Sequence, residues 1–188
     1  MIKKTARTSA DSQTRTQKVV ARGLLVAALT GGLAFATAMP ASAAAGDTTT
    51  TFALTGGALS VAPQGTATLT NGASGAASVS GSLGATDVSD LRGSTAGWVV
   101  SAGSTTFTSG VGGSTSTGVS YNSGAAKTTG TVTATSAGAT VIDAVAAVVN
   151  GTAASGNNTA SFAPTLTVTL PSTALAGTYT GTVTTSIA

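Results

Sequence analysis

Asp87, Asp90, Arg92 and Trp98 stand together in DVSDLRGSTAGW, within a chain otherwise dominated by Thr, Ser, Gly and Ala. An indole beside a carboxylate and a guanidinium can stack on a sugar ring and hydrogen-bond its hydroxyls, so Asp90, Arg92 and Trp98 are candidate glycan-binding residues. Two carboxylates can also divide the acid and base work of a glycosidase. Asp87 and Asp90 are three positions apart, however, and on one strand they project to opposite faces. The remaining catalytic repertoire is thin. The sequence contains no histidine, cysteine or glutamate, which excludes a Ser-His-Asp triad, an imidazole or thiolate zinc site and a disulfide framework. No enzymatic activity, cofactor or metal is expected.

The same residues have a structural use. In a strand over 88–92, Asp90 and Arg92 lie on one face, about 7 Å apart at their Cα atoms, near enough for the side chains to meet. Gly93 and Gly97 then permit a reversal, and Trp98, Val100 and Ala102 alternate inward on the returning strand of a hairpin. On this reading Trp98 anchors the core while the charged pair fixes the turn and keeps the edge soluble. The apolar alternation that Trp98 opens favours the core role.

The elements that position these residues follow a separable leader. Lys3, Lys4, Arg7, Arg15, Lys18 and Arg22 precede the apolar run GLLVAALTGGLAFATAM at 23–39, and Pro40 and the small residues Ala41, Ser42 and Ala43 follow it. This is the pattern of a secretory signal, with cleavage expected after Ala43. The run is near the lower limit for a bilayer span, and an uncleaved anchor is the competing reading. The division expected is therefore a signal over 1–43 and a single domain over 44–188. That domain carries Arg92 and Lys127 against Asp47, Asp87, Asp90 and Asp143, a net charge of −2. Two cations cannot neutralise a phosphate backbone or hold an anionic membrane, so neither nucleic acid nor, after cleavage, a membrane is an expected partner.

Threonine supplies 32 of the residues after Ala43, and β-branched side chains suit a pleated, half-solvated surface. Period-two alternation bounded by Gly, Ser, Asn or Pro predicts strands over 50–55, 59–62, 66–70, 77–83, 98–102, 105–108, 118–121, 129–135, 165–170 and 178–187. Short strands at this spacing predict an all-β fold, an antiparallel sandwich of Ig-like or jelly-roll-like kind. In TVIDAVAAVVNG, apolar residues fall at helical spacing, Thr140 and Asp143 have the form of a capping box, and Gly151 could supply a stop, so a short helix over 140–150 competes with a buried strand.

Two segments carry a family resemblance. VSDLRGSTAGWVVS, through Asp90, Arg92, Gly93, Gly97 and Trp98, and LTVTLPSTALAGTYTGTVTTSIA, through Pro171, Ala176, Gly177, Thr178 and Tyr179, resemble WxL domains. Val100 stands where that family has Leu, and TVTTSIA replaces its second tryptophan motif. The resemblance implies a secreted β-sandwich at a Gram-positive cell surface, associated non-covalently with peptidoglycan or another wall glycan, and with other surface proteins as further partners. A second function class is a structural subunit of a fimbrial or coat-like assembly, because the terminal AGTYTGTVTTSI also resembles strands that associate by strand addition.

Overall fold

The structure, a computed structural model, describes residues 46–112 and 115–188. The expected signal over 1–43 and its cleavage point lie outside these residues. Among the described residues there are twelve strands and no helix: β1 Leu59–Ala62, β2 Ser78–Ser82, β3 Thr86–Asp90, β4 Trp98–Ser104, β5 Thr108–Ser109, β6 Gly118–Asn122, β7 Lys127–Ser136, β8 Ala139–Val141, β9 Ala146–Phe162, β10 Thr165–Thr169, β11 Tyr179–Thr180 and β12 Val183–Ile187.

Every strand pairing is antiparallel, and β9 organises the larger, six-stranded sheet. Along one edge β9 pairs with β7, from Ser136 opposite Val149 to Lys127 opposite Ser161. Its other edge is shared, with Ala146, Ala147 and Val149 to Gly151 opposite β4, and 158–162 opposite β3. Strands β3 and β4 therefore run in the same direction, one after the other, and β1 and β12 line their outer edges in the same end-to-end manner. This corrects the expected hairpin. Gly93 and Gly97 do not return the chain; residues 91–97 step off the edge of β9 and rejoin it at Trp98 opposite Gly151. The smaller sheets are β2-β10-β6-β8 and the ribbon β11-β5.

The core lies between the two larger sheets. Val88, Trp98, Val100, Val149 and Phe162 come from one, and Val119, Tyr121, Leu166 and Val168 from the other, all buried in a single cluster. Period-two alternation dictates this arrangement, since one face of each strand carries the Val, Leu or aromatic side chains and the other Thr and Ser. The fold is the all-β, sandwich-like class the composition predicts.

The possible helix over 140–150 is absent. Val141 closes β8, the chain bends at Asp143, and β9 starts at Ala146. Instead of capping a helix, the Asp143 carboxylate accepts a hydrogen bond from the Val119 N–H at 2.8 Å, and the Val-rich run enters the sheet that β-branched side chains favour. Three other expectations fail. Residues 50–55 form no strand, 66–70 contribute only a bond from the Thr70 N–H to the Ser80 carbonyl, and of 105–108 only Thr108 lies in a strand, the two-residue β5, because the chain leaves the sheet after Ser104.

One core residue makes a direct prediction. The Tyr121 hydroxyl is buried without a hydrogen-bond partner, and burial pushes its pKa up to about 12, with Thr86 close enough to offset part of that shift. The folded value lies above the unfolded value of 10, so the contribution of Tyr121 is constant below pH 10, and stability falls as pH rises from 10 towards 12, by roughly 2–3 kcal/mol. Tyr121→Phe is expected to gain about 1 kcal/mol at neutral pH by removing an unsatisfied group, and to flatten this alkaline limb. Melting curves of both proteins between pH 7 and about 11 check it.

Candidate functional site

Asp90 ends β3 opposite Asn158 of β9, and Trp98 begins β4 opposite Gly151, so the sheet itself brings the candidate residues together. The Asp90 carboxylate accepts four hydrogen bonds. Arg92 Nε donates to Oδ1 at 2.9 Å and Arg92 Nη2 to Oδ2 at 3.0 Å, a bidentate pair, while the Arg92 backbone N–H donates to Oδ1 at 3.1 Å and Asn158 Nδ2 to Oδ2 at 3.3 Å. Arg92 Nη2 also reaches the carbonyls of Ala96 and Gly97, at 3.2 and 2.9 Å, and thereby ties the far end of the 91–97 loop to its start. Asn158 Oδ1 accepts from Trp98 Nε1 at 3.2 Å. The chain of contacts Arg92–Asp90–Asn158–Trp98 leaves both buried side chains at its centre fully partnered.

The local sequence explains the loop. Asp90 bonding the N–H two residues on is an Asx turn, Gly93 sits at φ +63, and the Ser94 carbonyl accepts from the Gly156 N–H, holding the excursion against β9. Asp90 is 1% exposed and Trp98 2% exposed, whereas the Arg92 side chain is 28% exposed. In this arrangement the indole offers no open ring face and the carboxylate turns no oxygen to solvent, so of the three candidate glycan-binding residues only Arg92 reaches the surface. What this arrangement does is fix strand geometry.

Hydrogen bonding to the Arg92 guanidinium, first among the causes, holds the Asp90 carboxyl below the ordinary value of 3.8, against the opposing effect of burial. A depressed folded pKa contributes stability that is complete above the unfolded value and is lost as pH falls through the folded one. Acid melting should therefore steepen below pH 3.8, and Asp90→Asn should lose that limb while melting lower at neutral pH. Thermal melts of the two proteins from neutral pH into acid decide it.

The other expected motif residues occupy the opposite end of the sandwich. The Pro171 carbonyl accepts from the Ala174 N–H in the turn after β10. Gly177 lies so close to Ser109 that a Cβ would sit 2.7 Å from its hydroxyl, and Tyr179 pairs with Ser109 and donates its hydroxyl to the Leu175 carbonyl at 2.9 Å. Gly177 and Tyr179, though not Pro171, line a cleft of about 540 Å³ with Leu69, Val79, Phe107, Val168 and Leu170, and no charged residue is among its lining. Such a cleft can hold an uncharged ligand.

Sequence reasoning missed Asn158 and Gly151 as partners of this network. Asn158, Ala160 and Phe162 do alternate inward, a signal hidden by the Gly- and Asn-rich residues before them. Comparison with family models, curated proteins and solved structures finds no match to this chain. The likeness to WxL domains therefore rests on the two segments that suggested it.

Proposed function

We propose that the chain is a secreted, non-catalytic structural subunit of an extracellular surface assembly, associating by β-strand addition. The observation that carries this reading is β7. It pairs with β9 on one edge, and no described residue pairs with the other, so a ten-residue strand presents unpaired backbone N–H and C=O groups. Thr128, Thr129, Thr131, Thr133 and Thr135 on it are exposed, and after Lys127 the strand carries neither charge nor proline, the usual guards of an edge. Shifts of register on either side of Thr131 divide it, leaving 133–136 as the longest regular stretch. The terminal segment AGTYTGTVTTSI, the strand first considered for addition, is already paired internally through β11 and β12.

The test is Thr133→Lys with Thr135→Lys. Both side chains are exposed, so the melting temperature should stay within a degree or two of wild type while sedimenting assemblies disappear. Assemblies that persist unchanged refute the use of this edge. A wall glycan is the second reading, favoured by the cleft with its uncharged lining and the Asn71, Thr68 and Tyr179 groups around it. Retention of a monomer on purified peptidoglycan would support that reading instead.

A further inference from the structure

Residues 50–55, TTFALT, have the alternation of a strand but join no sheet. Phe52 and Leu54 alternate with small and hydroxyl residues, yet they are 89% and 90% exposed, and the segment makes no hydrogen bond. Its own chain offers no continuation along the neighbouring edge. The Gly57 N–H bonds the Leu91 carbonyl, and the next stretch of that edge, beside β4, is filled by β12, where Ala188 and Val99 exchange bonds at 2.8 and 3.1 Å.

We infer that residues 50–55 of one copy pair with the open edge of β7 in a second copy, an inference that rests on the strand-addition reading. On β7, Val132 and Ala134 pack against the core, while Thr131, Thr133 and Thr135 face solvent. A strand added beside them places Phe52 and Leu54 on the side of Val132 and Ala134, extending the core, and Thr51, Ala53 and Thr55 on the threonine side. Residues 48–57 carry no charge, and neither do 128–136, so the pairing desolvates no ion on either strand. The donor also supplies backbone partners for the groups β7 leaves unpaired.

The experiment uses the protein as an exporting host releases it. Sedimentation over a wide concentration range should show reversible association, and Phe52→Ser with Leu54→Ser should weaken it by about 100-fold or more. The native chain lacks cysteine, so Ala53→Cys in one preparation and Thr133→Cys in another should form a mixed disulfide dimer on gentle oxidation, absent when either is mixed with wild type. A cross-link formed only within a chain carrying both cysteines, with the protein monomeric, means the arm folds onto its own β7 and overturns the inference. Association unaffected by the double serine substitution also overturns it, while leaving strand addition by another segment in place. A monomer at every concentration overturns both the inference and the reading beneath it.

Discussion

Trp98→Ala is expected to cost about 3–5 kcal/mol, a large part of the roughly 5–15 kcal/mol that holds a domain of this size. Two losses combine. The indole is 2% exposed and belongs to the central cluster with Val88, Val100 and Tyr121, so its removal leaves a cavity between the sheets. Its Nε1–H also vanishes from Asn158 Oδ1, which then lies buried with that acceptor empty, and Asn158 is the residue that steadies Asp90. Trp98→Phe should retain most of the apolar burial but still strand the Asn158 carbonyl, so it should fall between wild type and alanine. As the only tryptophan, Trp98 reports on itself: native emission should be blue-shifted and poorly quenched by acrylamide, and both properties should be lost on melting. Emission like that of indole in water, or an unchanged melting temperature in Trp98→Ala, would remove the residue from the core and return it to the surface as a ligand contact.

The parts of this fold that were legible in the sequence are those in which side-chain period and strand boundaries coincide. LSVA at 59–62 and the runs that became β6, β7 and β10 alternate cleanly between turn residues, and they appear as strands within a few positions of where alternation places them. The longest strand was the least legible. In β9, AAVVNGTAASGNNTASF, glycine and asparagine break the pattern in the middle, and the structure shows why: Ala153 and Gly156 adopt positive φ, β7 shifts its register alongside, and the 91–97 loop interrupts the pairing on the opposite edge. A strand that bends at its centre loses its period there and reads as loop. The converse error, a strand expected at 50–55, has the opposite cause, since a correct period without a partner in the same chain is not a sheet. At the candidate site, the meeting of Asp90 with Arg92 was readable because it is local. Asn158 was not, because it arrives from a strand sixty-eight residues away. The direction of the chain after Gly93 was misread for the same reason: two glycines near a polar turn permit reversal, but only β9, which binds both β3 and β4, determines that the chain goes on.

Gly151→Ala should be among the most damaging small substitutions in the domain. Gly151 faces Trp98 directly across β9 and β4, and the indole lies flat over the space a side chain would fill; a Cβ there would overlap the ring atoms Cε2, Cδ2 and Cζ2. Its backbone does not need glycine's left-handed conformations, so the requirement is one of room rather than of φ. Neither partner can yield easily. The ring is held at its Nε1 by Asn158 and enclosed by the core, while Gly151 is paired on both edges, to Trp98 and to Ala134. Overpacking of this kind costs about 1–3 kcal/mol, and Gly151→Val should exceed Gly151→Ala. The decisive comparison is a double-mutant cycle measured by chemical denaturation. With the ring gone, in Trp98→Leu, the added methyl meets a smaller, flexible neighbour, so Gly151→Ala should cost markedly less there than in the wild type, and the two changes should not add. Additive losses would mean that the indole does not cover Gly151, and the account of Trp98 as the lid over a glycine in the central strand would have to be abandoned.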